Sequence, residues 1–335
     1  MEFILKPLSK IYDAITHQRN KSYDSKPFKT VKFDLPIISV GNLSVGGTGK
    51  TPFVEFLIER LKDKYSLGIL SRGYGRKTKG AIIADENSTA KIIGDEPMQY
   101  HGKYKDIQVV VSELRVLGVP LFEEVDLIIL DDAFQHRAIH RDLNIMLSDY
   151  NKPFFEDHVL PYGRLRERKE GAGRADIIIF TKCPSSISET SVNHYKIETN
   201  NYTNAKIFFA EIKYGDFYGL HSNKKIDITD DITLLTSIAN TDPLLSYLNE
   251  NKLNVSKHYK FRDHYSFTEK TIQRIENEIK EGVVLITEKD AAKLKPITKT
   301  SHLKFVVIPI EPKILFHKEE ELVNLIQNGI NSKEV

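Results

Sequence analysis

The stretch Pro36-Ile-Ile-Ser-Val-Gly-Asn-Leu-Ser-Val-Gly-Gly-Thr-Gly-Lys-Thr-Pro52 constrains the fold more than any other part of the chain. An apolar run that reads as a buried strand enters a glycine-rich loop. Thr51-Pro52 then opens a helical pattern over residues 51–64, with Phe53, Phe56, Leu57 and Leu61 inward. That succession predicts a phosphate-binding loop formed by Ser44, Val45, Gly46, Gly47, Thr48, Gly49, Lys50 and Thr51. The glycines let backbone N–H groups turn toward phosphate oxygens, and the helix N-terminus adds partial positive charge. Lys50 is placed to reach the β- and γ-phosphates, and the Thr51 hydroxyl to meet Mg²⁺. Pro52 falls in the first helical turn, where its missing N–H costs nothing. The usual pattern begins with glycine where this chain has Ser44.

The second half of a nucleoside triphosphate site is an apolar strand ending in acid, and Leu127-Ile-Ile-Leu-Asp131-Asp132 supplies it. Carboxylates at that strand end face the loop across a sheet and can hold Mg²⁺. Further short apolar runs at 67–70, 107–111, 143–147, 177–180 and 206–213 alternate with helical patterns. This predicts an α/β fold, a P-loop domain with a mostly parallel sheet covered on both faces. Between Cys183 and Asn204 the chain is polar and periodicity fades. Beyond the glycine-punctuated Tyr214–Gly219, strand patterns at 233–238, 255–261, 283–287 and 305–308 and helical ones at 268–280 and 318–327 predict a second, smaller α/β domain. The expected division is therefore 1–25, 26–213 and 214–335.

Composition narrows the classes. The 335 residues are long for one core, and 40% hydrophobic with 28% charged residues is ordinary for a globular chain. A net charge of +2 gives no reason to expect a nucleic-acid partner, and one cysteine excludes an internal disulfide framework. The N-terminal segment has no apolar run of the roughly 18 residues that span a bilayer. It does carry a helical stripe of Ile4, Leu8, Ile11, Tyr12 and Ile15, with Phe3 and Leu5 beside it and Lys6, Lys10, Arg19 and Lys21 around it. Such a helix either packs on its own domain or lies in a membrane interface, drawn to anionic lipid.

The ordered blocks Val40–Pro52, Ser71-Arg-Gly-Tyr-Gly75, Gly94-Asp-Glu-Pro97, Asp131-Asp-Ala-Phe-Gln-His136, Leu160-Pro-Tyr-Gly-Arg-Leu-Arg-Glu167, His264-Tyr265 and Thr287-Glu-Lys-Asp290 resemble the tetraacyldisaccharide 4'-kinases (lipid A 4'-kinases) across nearly the whole chain. Ala133, where that family usually has glycine, and the partly matching turn Ile238-Ala-Asn240 depart from its pattern. The resemblance implies transfer of the ATP γ-phosphate to the 4'-hydroxyl of a tetraacyldisaccharide 1-phosphate. The product would be lipid IVA, formed at the cytoplasmic face of the bacterial inner membrane with ATP and Mg²⁺. The implied partners are the glycolipid and the membrane surface, with no nucleic acid and no obligate protein partner. It favours the interfacial reading of the N-terminal helix. Asp95 becomes the expected base or orienting acid, His264 its partner and Lys50 the third catalytic residue, with Asp131 and Asp132 joining Thr51 at the metal. Because Asp95 and His264 fall in different domains, catalysis would require domain closure.

Asn42, Arg72, Arg115, Gln135, His136, Arg166 and Glu167 are implied contacts to substrate or transferring phosphate. Arg72 and Arg76 read equally as part of a solvated turn. By pattern alone Gly94–Pro97 is a loop, and Thr287–Asp290 is a capping box, with adenine or hinge contacts as its alternative. Two other classes remain open on sequence: a P-loop kinase of a soluble small molecule, and a membrane-associated switch ATPase.

Overall fold

The structure, a computed structural model, describes residues 2–26, 29–228, 231–279 and 281–331, with side chains from residue 5 onward. The side chains of Phe3 and Ile4, Lys280 of the expected helix 268–280, and the final residues of the expected second domain lie outside the described residues. The chain runs through α1 (Glu2–Asp24), β1 (Ile37–Asn42), α2 (Lys50–Leu61), β2 (Leu67–Ser71), β3 (Ile82–Ile83), α3 (Ala90–Ile93), α4 (Asp95–Lys103), β4 (Gln108–Val111), β5 (Leu127–Asp131), β6 (Leu143–Asp149), β7 (Ile177–Thr181), α5 (Glu189–Asn200) and β8 (Lys206–Tyr214). It continues through β9 (Tyr218–Gly219), β10 (Ile232–Thr236), α6 (Asp242–Glu250), β11 (Val255–Lys260), α7 (Glu269–Glu278), β12 (Val283–Thr287), α8 (Glu288–Leu294), β13 (Lys304–Ile308), β14 (Ile310–Ile314) and α9 (Glu319–Asn331).

Two sheets result. The larger has the order β14-β8-β7-β6-β1-β5-β2-β4-β3, parallel except for the pairings of β14 with β8 and β3 with β4. The smaller has the order β11-β10-β12-β13-β9, parallel except at β9. The central strands read as unbroken apolar runs because both faces are covered. Ile38 and Val40 of β1 face Phe53, Leu57 and Leu61 of α2 on one side, while Ile37 packs with Leu130 and Val110 on the other. β1 lies between β5 and β6, in a register that sets Val40 beside Asp131. The glycine-rich loop and the acidic strand end are thus neighbours by hydrogen-bonded pairing.

Three elements differ from the sequence expectation. Residues 310–331, expected in the second domain, return to the large sheet: β14 pairs with β8, and Leu322, Ile326 and Ile330 of α9 join the core beneath α2. The apolar spacing of that helix marks a buried face but cannot say which sheet it covers. Gly94–Pro97, read as a loop, opens α4, with Gly94 as its N-cap and Asp95 and Glu96 in the first turn. Carboxylates are favourable there, and a proline in the first turn lacks only an N–H that would be unpaired anyway. The polar stretch after Cys183 holds α5, whose cap is Ser188 accepting from Ser191 N–H.

α4 bridges the two sheets. Lys103 at its C-terminal end reaches Glu55 of α2 at 2.9 Å and Glu288 of α8 at 2.6 Å, and Gln99 donates to the other Glu55 oxygen at 2.9 Å. Both carboxylates are buried, and about a third of the Lys103 side chain is exposed. Burial, with the Glu288 charge adding to it, pushes Glu55 up from 4.5 to about 7 despite Lys103. The folded chain therefore holds that proton to higher pH than the unfolded chain, and the cost of ionising Glu55 grows as pH rises from about 4.5 to about 7. Removing one partner of a fully buried pair costs roughly 3–5 kcal/mol, and partial exposure of Lys103 lowers that figure. Lys103→Met is expected to destabilise the chain by about 2–3 kcal/mol at pH 8 and by less at pH 5.5, where Glu55 is protonated. Urea titration at the two pH values checks this, and equal losses would contradict the charge argument.

Candidate active site

The loop after β1 is held from three sides. Gly46 and Gly49 take φ of 103° and 80°, the left-handed region where a side chain is strained. Asn42, buried beneath the loop, donates from Nδ2 to Thr48 Oγ1 at 2.8 Å, so its side chain braces the loop. Thr181 donates to the Thr48 carbonyl at 2.9 Å, and Lys182 donates to the Gly47 carbonyl while pairing with Asp149 at 2.7 Å. Sequence reasoning missed Thr181 and Lys182, whose signal is that they stand at the end of a strand two places from β1 in the sheet.

Ser44 explains the variant loop. It forms an antiparallel rung with Leu165, flanked by Val45 N–H on the Arg164 carbonyl at 2.8 Å and Arg166 N–H on the Leu43 carbonyl at 2.7 Å. A residue in such a rung has ordinary φ, and no glycine is required. The rung also delivers Arg166 to the acid pair, where its guanidinium meets Asp132 Oδ1 at 2.9 Å and Oδ2 at 3.2 Å. Lys50 Nζ lies 3.7 Å from the same carboxylate. Burial raises the Asp132 pKa, but Lys50 and Arg166 outweigh it and hold the group below the ordinary carboxylate range. Among the described residues, the one hydrogen-bond partner of the Asp131 carboxylate is the Ser71 hydroxyl, at 3.2 Å. Burial, then the charges of Asp132 and Glu96, push it up to about 7.

Arg115 is buried and donates to the main-chain carbonyls of Asp131 at 3.3 Å and Asp132 at 3.2 Å, which fixes the turn that carries the acids. Asp132 has φ of 45°, whereas Ala133 has ordinary φ, packs in the core and donates to the Val40 carbonyl, so the expected glycine is not needed. Gln135 and Glu167 join the N-terminal helix to this site. Glu167 is 2% exposed and accepts from Gln135 at 3.0 Å, from Arg174 at 2.6 Å and from Asn20 of α1. Arg166, Gln135 and Glu167 thus spend their polar groups on one another and on Asp132. His136 is pushed down to about 4 by burial and by Arg115, Arg141, Arg19 and Arg72 around it. Exposed Arg72 contributes to this positive field, whereas Arg76 is buried against Glu113 at 2.6 Å and belongs to the turn.

Across the cleft, α4 presents Asp95, whose Oδ2 lies 3.0 Å from His264 Nδ1 in the second unit. Burial raises the Asp95 pKa, but His264, Lys293 and Lys289 bring it below its usual value. The pair expected to form only on closure is already joined. Glu96, not singled out from sequence, acts on Asp131 and stands 3.9 Å from His264 Nε2. Lys289 lies 3.1 Å from Nε2. Thr287–Asp290 is the capping box: Thr287 Oγ1 accepts from Asp290 N–H, and the buried Asp290 carboxylate also accepts from Ser237.

A family profile described as tetraacyldisaccharide-1-P 4'-kinase matches residues 1–331. The chain belongs to that family. A tetraacyldisaccharide 4'-kinase of Flavobacterium johnsoniae is 39% identical over 334 residues, covering 97% of this chain and 96% of the relative. One of Cytophaga hutchinsonii is 37% identical over 340 residues, covering 98% and 96%. The crystal structure of LpxK from Aquifex aeolicus in complex with ATP superposes with a TM-score of 0.77 at 30% identity, covering 97% of this chain and 98% of that one. As in other members of the tetraacyldisaccharide 4'-kinase family, the fold is an α/β P-loop architecture.

Glu167→Ala removes the shared acceptor of Asn20, Gln135 and Arg174 and leaves a buried guanidinium without its carboxylate. A loss of roughly 2–4 kcal/mol is expected, with α1 released first. Hydrogen exchange should rise across residues 2–24 before it rises in the large sheet; uniform loosening would assign Glu167 to the core alone.

Proposed function

We propose that this chain, an ATP-dependent tetraacyldisaccharide 4'-kinase of lipid A biosynthesis, divides its reaction between the large sheet, which holds the nucleotide, and an acid–imidazole pair shared by both units, which handles the acceptor hydroxyl. The observation that carries this division is the 3.0 Å contact of Asp95 with His264, on a helix whose Glu96 also acts on Asp131. Backbone N–H groups of residues 46–51 cradle the phosphates, and Lys50 draws charge from the β- and γ-oxygens. Asp95 accepts the acceptor's proton and His264 orients it. The arginine field around His136, with Arg72 exposed, suits the acceptor's 1-phosphate.

The donor set fits Mg²⁺. Among the described residues no group of three His, Cys, Asp or Glu side chains forms a protein cage. Two carboxylates and a hydroxyl completed by phosphate oxygens and water is the arrangement this ion prefers. Burial first, and the charges of Asp132 and Glu96 second, raise Asp131, and a bound cation would offset both. Thr51, Asp131 and Asp132 would hold the ion, which when bound neutralises charge on the β- and γ-phosphates.

α1 supports a place at the membrane surface. Among the described residues no helix is long and apolar enough to cross a membrane. The polar side of α1 is fastened to the body: Ser9 donates to the Val159 carbonyl at 2.6 Å, Asp13 pairs with Arg168 at 2.6 Å, and Arg19 donates to the Gln135 carbonyl at 2.9 Å. Leu8, Ile11 and Ile15 of its apolar stripe face away, exposed by 47%, 59% and 64%, while Tyr12 is half-buried. A helix packed by its stripe would show the reverse, and the arrangement suits burial at the headgroup boundary of the cytoplasmic leaflet.

Incubation with γ-labelled ATP and a tetraacyldisaccharide 1-phosphate, followed by chromatography of the lipid fraction, should place the label on the lipid, and ATP hydrolysis without labelled lipid would favour a switch ATPase. Lys50→Ala should lower this transfer by roughly 10²-fold or more while leaving the melting temperature nearly unchanged. The triple variant Leu8→Ser, Ile11→Ser, Ile15→Ser should weaken sedimentation with anionic vesicles at least about tenfold, since each buried side chain contributes roughly 1.5 kcal/mol. Its activity on detergent-dispersed substrate should be retained, and unchanged vesicle binding would remove the helix from the membrane.

A further inference from the structure

His264 has both ring nitrogens engaged. Nδ1 lies 3.0 Å from Asp95 Oδ2, and Nε2 lies 3.1 Å from the Lys289 ammonium. An ammonium carries donors and no acceptor, so Nε2 must supply the lone pair. The proton of the neutral ring then sits on Nδ1 and is donated to Asp95. Lys289 is itself fixed, 3.0 Å from Asp263 and 3.8 Å from Glu96. It stands in the first turn of α8, next to the Glu288 that Lys103 ties to α2. Around the ring stand Asp95 and Glu96 from α4, Asp263 from its own loop, Lys289 from α8, and the edge of Tyr74 at 5.5 Å. Lys293 of α8 adds its charge at Asp95.

We infer that Lys289 is a positioning residue for phosphoryl transfer, which keeps a second proton off His264 Nε2 and so leaves Asp95 to receive the hydroxyl proton. The inference rests on the role proposed above for the Asp95–His264 pair. Asp95 Oδ1 has no hydrogen-bond partner among the described residues and is the oxygen that remains for the acceptor. As the hydroxyl oxygen bonds to the γ-phosphorus, the bond from that phosphorus to the β–γ bridging oxygen breaks. ADP departs with the electron pair, and the hydroxyl proton passes to Oδ1. His264 keeps its Nδ1 proton throughout. Without the ammonium, three carboxylates would draw a second proton onto Nε2, and the imidazolium donating to Asp95 would make it a weaker base.

The test uses the full chain in detergent micelles with ¹⁵N-labelled histidine, the His264 signals being those lost in His264→Gln. The expected spectrum is a neutral ring protonated at Nδ1, changed in Lys289→Met to the imidazolium. In that variant kcat should fall roughly 10- to 100-fold, with its acid limb moved up by about one pH unit and KM for both substrates unchanged. Lys289→Arg, which keeps a donor for Nε2, should restore most of the rate and the limb. A wild-type ring protonated at Nε2, an unmoved acid limb in Lys289→Met, or a loss confined to KM would overturn the inference. The spectrum reads the tautomer without turnover, so it fails separately from the pair's chemical role. Asp95→Asn with full turnover would overturn that role, and with it the inference, whatever the tautomer.

Discussion

Two buried carboxylates from different sheets, Glu55 and Glu288, share one ammonium, Lys103. Neither acid can remain charged in that setting without the cation, because desolvation of an unpaired carboxylate costs several kcal/mol. This requirement fixes α4 between α2 and α8, and the rest of the cleft depends on it. The helix has nine residues, so Asp95 at one end is placed by the lysine at the other. Tyr100, fully buried between them in the core beneath α2, keeps the helix from rotating. The nucleotide loop and the acid that meets His264 are therefore positioned from the two sides of one short element.

Charge around the acid pair follows a similar economy of few cations serving several groups. Arg115 donates to the carbonyls of the turn, which offsets their dipoles and holds Asp132 in its left-handed conformation. Arg166 and Lys50 both pair with Asp132, while the Asp131 carboxylate accepts from the Ser71 hydroxyl. The two adjacent acids consequently differ in basicity, one held low by cations and the other raised by burial. Such a split leaves the ionised member oriented before any ligand arrives.

Much of this was legible in the sequence because it depends on local rules. The loop, its flanking strand and helix, and the acidic strand end are contiguous segments whose patterns survive in any parallel sheet. Asp95 and His264 were legible only by resemblance, since nothing local links residues 169 positions apart. Lys289 and Glu96 lie inside motif blocks whose local pattern did not show their roles, and Lys103 gave no signal: a charged residue on a short helix reads as a solvated face, and only tertiary packing turns it inward. The reading of 310–331 as part of the second domain failed for a similar reason, because order along the chain does not show where a chain re-enters a sheet. Ser44, read as a variant position of the loop, is a ladder residue whose partner, Leu165, lies far along the chain.

The return of the chain at β14 has a mechanical consequence. The smaller sheet is an insertion between two adjacent strands, and its two connecting segments are themselves hydrogen-bonded, Gly215 N–H to the Pro309 carbonyl at 3.0 Å. A module hung from one strand could swivel about any axis. One hung from a paired antiparallel ribbon resists twisting. His264 is carried on that module, so the ribbon and the Lys103–Glu288 tie together present one face of the imidazole to Asp95.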